Sequence, residues 1–191
     1  MKILKNVLIA IVALVAIVLI IAAILPKTFH AGSELIINRS SNEVFDYVKQ
    51  IKKQGEYDNW SRQDPNILRE YSGEDGTVGF TYTWKSDKVG NGKQVITNIE
   101  EGKKVEMDLF FDNSEEANKS FIAVDSIAHN QSKVTWEIDG KIPFPFNIFT
   151  LFYDMNEDFK QGLVNMKTNL EQQIEEVISS IYFAKRTALS N

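Results

Sequence analysis

The spacing of apolar and polar residues changes regime along this chain, and each change marks an element. Residues 7–25, VLIAIVALVAIVLIIAAIL, form one unbroken apolar run with no charge and no proline. At helical rise such a run has the length to cross bilayer hydrocarbon, which takes about 20 residues. Beyond it the period drops to two. SELIINRS sets Leu35 and Ile37 on one face against Glu34, Ile36 and Asn38 on the other, a strand pattern. Ser40 or Ser41 then caps SNEVFDYVKQIKK, where Val44, Phe45, Val48 and Ile51 give a short amphipathic helix. A polar, irregular stretch over residues 57–64 holds Trp60 and ends at Pro65.

Glycines at 73, 76 and 79 precede a strand in which Val78, Phe80, Tyr82 and Trp84 alternate. Gly90-Asn91-Gly92 turns the chain into GKQVITNIE, and Glu101-Gly102-Lys103 turns it again into VEMDLFFD, with Val105, Met107, Leu109 and Phe111 on one face. Residues 118–127 and 133–140 read as two more strands separated by HNQS. Short turns between successive strands imply an antiparallel meander. After IPFPFN the period lengthens to that of a helix, with Ile148, Phe152, Met155, Phe159, Leu163, Met166, Leu170 and Ile174 in steps of three and four. The boundaries are an anchor at residues 1–26, a linker at 27–33, a body at 34–176 and a tail at 177–191, whose Val177, Ile178, Ile181 and Tyr182 allow it either to prolong the helix or to lie loosely on the surface. The predicted class is α+β. The order is that of a helix-grip fold, a curved antiparallel sheet around a long C-terminal helix, preceded here by a single transmembrane helix.

Particular stretches carry a family resemblance. YTWKSDKVGNGKQVI, residues 82–96, resembles the Tyr-x-Trp and Val-Gly-x-Gly turn of membrane-anchored members of the SRPBCC superfamily, the START-related "polyketide cyclase/dehydrase and lipid transport" group. INRSSNEVFDYV is similar to their first strand and helix, and Trp60-Ser61 with Asp64-Pro65 to their tryptophan loop. KVTWEIDGKIPFP resembles their last strand, and DFKQGLVNMKTNLE their closing helix. The likeness covers residues 33–175. The loop after Trp60 lacks the second tryptophan of the group. The resemblance implies a cavity between sheet and helix but no fixed catalytic set, because the superfamily binds, transports or transforms varied ligands.

Composition narrows the picture. The chain carries 21 Lys and Arg against 26 Asp and Glu. Lys2 and Lys5 precede the apolar run, so the body is more acidic than the whole, which argues against a nucleic-acid partner and against a polybasic grip on lipid. The run exceeds the apolar core of a secretory signal, roughly 7–15 residues, and is read as an uncleaved anchor; cleavage at the small residues that follow is the competing reading. Lys2, Lys5 and the amino terminus outweigh Lys27, which favours a cytoplasmic N-terminus and a periplasmic or extracellular body. With no cysteine, thiolate chemistry and disulfides are excluded.

Candidate chemistry is sparse. His30 and His129 have no partner at ligand spacing, so neither a metal nor another cofactor is expected. Asp125 interrupts the apolar FIAVDSI and is the candidate pocket acid, since a buried carboxylate needs a partner or a raised pKa. The aromatic residues Trp60, Phe80, Tyr82, Trp84, Phe111, Phe121, Trp136, Phe152 and Phe159 are candidate cavity walls, with ordinary core packing as the competing reading. The function expected is a membrane-anchored binding protein for a hydrophobic small molecule or lipid. A cyclase- or hydrolase-type enzyme using the same pocket, or a non-catalytic interaction module without a cavity, are the alternatives.

Overall fold

The structure, a computed structural model, describes residues 2–112 and 114–188, with side chains through residue 172. Helix α1 (Lys2–Ile24) contains the apolar run. It is long and apolar enough to cross a membrane, and nearly all its side chains project away from the body.

The body is a sheet gripping a helix. Its strands are β1 (Thr28–Ile37), β2 (Leu68–Ser72), β3 (Thr81–Lys85), β4 (Gly92–Glu100), β5 (Lys104–Phe111), β6 (Asn118–Ala128) and β7 (Gln131–Lys141). They form one antiparallel sheet in the order β1-β7-β6-β5-β4-β3-β2. Every hairpin is local, and only β1 crosses over to join β7, which closes the N-terminal strand onto the last one. Between β1 and β2 come α2 (Ser41–Val48), a 3-10 turn (Ile51–Lys53), α3 (Gln54–Tyr57) and α4 (Asn59–Gln63). The closing helix is α5 (Met155–Ala188). This is the helix-grip arrangement.

Local chemistry places these elements. A capping box starts α2: the Ser40 side chain accepts from the Glu43 amide while the Glu43 carboxylate accepts from Ser40. Val44, Phe45 and Val48 then fall on the buried face. Along α5, Phe159, Leu163, Met166 and Leu170 are buried, at the three-and-four spacing of one helical face. Arg39, itself buried, donates to the carbonyls of Leu170 and Glu171 at 2.5 and 2.9 Å, pinning α5 at the far end of the sheet.

Several expectations are corrected. The stretch at 27–33 is not a linker: β1 opens at Thr28 and pairs residue by residue with β7, from Thr28 opposite Lys141 to Ile37 opposite Ser132. Strand β2 had no counterpart in the pattern. Ile148 and Phe152 do not belong to the long helix, because residues 146–151 form a 3-10 turn. The helix starts after Asp154, whose carboxylate accepts the Asn156 amide at 3.0 Å. At its other end α5 runs on to Ala188, so of the two readings of the tail the backbone of residues 177–188 takes the one that prolongs the helix. The side chain of Ile174, expected on the buried face of the helix, and those of the tail lie beyond residue 172, outside the described side chains.

Candidate functional site

The interior is not filled. A cavity of about 420 Å³ lies between α5, α4 and the inner face of β3–β7. The register places it along the sheet. Toward the β4–β5 turn the inward positions are Ile96, Val105, Ile122, Val124 and Val134, all buried. Toward α1 the same strands present Gln94, Leu109, Ser120 and Ile138, which line the cavity. That is the end where Thr28 pairs with Lys141, immediately after α1. Polar or small side chains at inward positions leave volume that Ile or Val would fill.

Two aromatic groups wall the space. On one side Trp60, Trp136 and Phe159 meet edge to face, with ring centroids 5.2 Å apart for Trp60–Phe159 and 5.0 Å for Trp136–Phe159. Gly162 permits this approach, because a Cβ there would sit 2.9 Å from the Trp136 ring. On the other side Tyr82, Trp84 and Phe111 follow one another at 5.4 and 6.3 Å. Gly92 makes room for the Trp84 ring, which a Cβ would meet at 2.2 Å. All three tryptophans of the chain therefore line the same cavity.

Of the predicted wall residues, Trp60, Tyr82, Trp84, Phe111, Trp136 and Phe159 line the cavity. The other candidates lie elsewhere. Phe80 is fully buried in the core, stacked with Tyr71. Phe121 is on the outer face of β6, under the Lys104 ammonium at 4.5 Å. Phe152 is 81 % exposed, ahead of α5. Asp125 is exposed on the outer face, opposite Lys133 in the register, and is not a pocket acid. The period of two accounts for it: Val124 points in, so Asp125 points out.

The polar wall was not anticipated. Gln94 and Gln54 are buried and bonded to each other at 2.9 Å, Gln94 donating. Asp58 is buried and caps α4, its Oδ1 accepting the Ser61 amide and its Oδ2 the Ser61 hydroxyl, each at 2.6 Å. Burial pushes its carboxyl above the ordinary value, a shift only partly offset by those bonds. Burial likewise pushes the Tyr82 hydroxyl up to about 12, so it is a neutral donor at physiological pH. At the mouth, Tyr153 donates to the Asp158 carboxylate, which also accepts from Asn59 at 2.6 Å, tying the rim to α4 and α5. Lys88 and Val89, from the β3–β4 loop, complete the lining there. The alternation could have flagged Gln94 and Ser120, two residues before the inward Ile96 and Ile122; nothing local marks Asp58 or Tyr153.

The wall offers donors and acceptors, among them the Ser61 hydroxyl, which Asp58 Oδ2 holds at 2.6 Å as part of the α4 cap. Among the described residues no group of three or more His, Cys, Asp or Glu is gathered as a metal site would be. His30 lies in β1, 2.9 Å from Asp139 and exposed.

No family model matches the chain, and no curated protein sequence matches it either. Solved structures do. Norcoclaurine synthase from Thalictrum flavum, a point mutant in complex with a transition-state analogue, superposes with a TM-score of 0.58 at 11% identity, over 78% of this chain and 96% of that one. The Bet v1-like protein Ara h 8.0201 gives 0.52 at 13%, over 76% and 99%. The Aha1 dimer from Colwellia psychrerythraea gives 0.52 at 13%, over 73% and 93%. Identities this low establish the fold alone. The neighbours are of the Bet v1/SRPBCC helix-grip type, and the chain shares that fold.

Proposed function

We propose that this chain is a membrane-anchored binding protein whose cavity takes an apolar, ring-sized or single-chain small molecule. The observation that carries the reading is the open-mouthed space of about 420 Å³ at the α1 end of the sheet, aromatic on both sides with a few fixed polar groups. Ligand sites have that composition, and their volumes run from about 300 to 1,000 Å³. A neighbour of the same fold, norcoclaurine synthase, was solved with dopamine and hydroxybenzaldehyde. In this reading α1 spans the membrane with its N-terminus cytoplasmic. The tether raises the effective concentration of the cavity near membrane-held ligands.

Binding is preferred to catalysis for a specific reason. The one carboxylate among the described lining residues, Asp58, is the N-cap of α4, and its bonds to the Ser61 amide and hydroxyl are those that hold the start of that helix. The experiment is mass spectrometry of small molecules extracted from the full chain after purification in mild detergent. The expected result is one apolar compound at near-equal molar ratio to protein. Recovery of only the bulk lipids that accompany an unrelated single-pass protein would contradict the proposal.

A further inference from the structure

The connection between β7 and α5 reads IPFPFNIFTLFY over residues 142–153 and carries no charge; Lys141 and Asp154 bracket it. Its apolar side chains face outward. Phe146, Phe149 and Phe152 are 58, 61 and 81 % exposed, and Leu151 is exposed beside them. A contiguous apolar patch of this kind on a folded domain marks a surface that something covers.

Its position says what does. Asn147, wholly buried in the middle of the segment, donates from Nδ2 to the carbonyls of Ala22, Leu25 and Pro26 at 2.7, 3.2 and 3.3 Å. The end of a helix leaves its last carbonyls without helical partners. Asn147 supplies a donor there, and Ala22 is the residue of α1 buried by the contact. The aromatic segment is thus hydrogen-bonded to the final turn of α1. That turn is where an apolar helix passes from hydrocarbon into the headgroup layer. A neutral segment rich in phenylalanine, held at that level, has the chemistry of a membrane-interface element.

We infer that residues 144–153 form a second membrane contact, with Phe146, Phe149 and Phe152 seated in the boundary between headgroups and acyl chains. The inference rests on α1 spanning the bilayer. It sets the body at a fixed height instead of leaving it on a loose tether. Tyr153 ends the segment and also lines the cavity, so the contact brings the mouth to the bilayer surface. An apolar ligand then enters from the membrane without crossing bulk water.

The chain has no cysteine, so single cysteines can be introduced and spin-labelled one at a time. The positions are Val15→Cys in the span, Phe149→Cys and Phe152→Cys in the segment, and Glu101→Cys in the distant β4–β5 turn. The exposure of Phe149 and Phe152 makes the labels compatible with folding. The full chain is reconstituted in vesicles of phosphatidylcholine with some phosphatidylglycerol, and accessibility to oxygen and to a water-soluble nickel chelate is read by electron paramagnetic resonance. The expected result is a strongly oxygen-favoured ratio at Val15 and a ratio at Phe149 and Phe152 several-fold above that at Glu101. If Val15 lies in hydrocarbon while Phe149 and Phe152 match Glu101, the second contact is overturned and the span stands. Labels at 149 and 152 shielded from both reagents would report a protein contact and also overturn it. If Val15 itself reads as aqueous, the spanning reading fails and takes the inference with it.

Discussion

The two ends of the interior are built from the same strands and differ in a few side chains. At the end near the β4–β5 turn, Ile96, Val105, Ile122 and Val134 meet Val44, Phe45 and Val48 of α2, all buried. At the end near α1, the inward positions on those strands hold Gln94, Leu109, Ser120 and Ile138 and line a cavity. Topology does not change between the two. What changes is side-chain volume and polarity, and protein interiors, being close-packed, convert small differences of that kind into open space. The packed end holds the fold, while the open end is free to carry function.

The sharpest way to test that division is to cut equivalent volume from each end. Ile122→Ala, in the packed end, should cost about 2–5 kcal/mol, because a buried truncation leaves a new cavity. Leu109→Ala, on the cavity wall, should cost less than about 2 kcal/mol, because the vacated volume joins space already open. Chemical unfolding of the detergent-solubilised chain measures both. Equal losses would mean the two ends are packed alike.

A smaller effect concerns Asp58. Replacing it with alanine removes the α4 cap and should cost about 1–2 kcal/mol. Its pH signature has a definite sign. Burial raises the folded-state pKa above the ordinary 3.8, so the folded chain holds a proton that the unfolded chain has released. This contribution to stability is therefore fully present below 3.8, is lost as pH rises from there, and levels off above the folded value. Thermal unfolding of Asp58→Asn across that range should lack this component of the slope. An unchanged slope would show that Asp58 titrates as it does in the unfolded chain.

The smallest effect is expected outside the cavity. Asp125→Asn, on the exposed outer face, should change stability by no more than about 0.5 kcal/mol and leave ligand uptake unaltered. A loss of uptake would return Asp125 to the pocket.

What was legible in the chain follows from the same physics. Alternation located β5, β6 and β7 and the long helix, because each buries one face. Alternation also carried Tyr82, Trp84, Phe111 and Trp136 to the cavity and the helical period carried Phe159, since aromatic residues at inward positions are conspicuous. Trp60 was found by its residue type alone. The helical period misplaced Phe152 because the step of four from Ile148 continues a helical pattern that the 3-10 turn and the Asp154 cap interrupt. Strand β2 escaped notice because Leu-Arg-Glu-Tyr-Ser has little pattern of its own. It is held by pairing with β3 and by Tyr71 stacking on Tyr82 at 5.3 Å, which are tertiary facts. The linker was misread for the same reason, since His-Ala-Gly-Ser looks irregular until β7 pairs with it. Asp58 and Tyr153 reach the cavity from irregular segments, where no periodicity operates.

Because Trp60, Trp84 and Trp136 all line the cavity, the chain's tryptophan fluorescence reports on that space alone. The decisive measurement is quenching of that fluorescence by bromonaphthalene, with the full chain held in phosphatidylcholine nanodiscs. Native protein should show saturable quenching. Ser120→Leu, which fills the open end, should weaken the apparent affinity at least about tenfold, or roughly 1.4 kcal/mol. Quenching that does not saturate in the native chain, or that is the same in Ser120→Leu, would contradict a ligand-binding cavity.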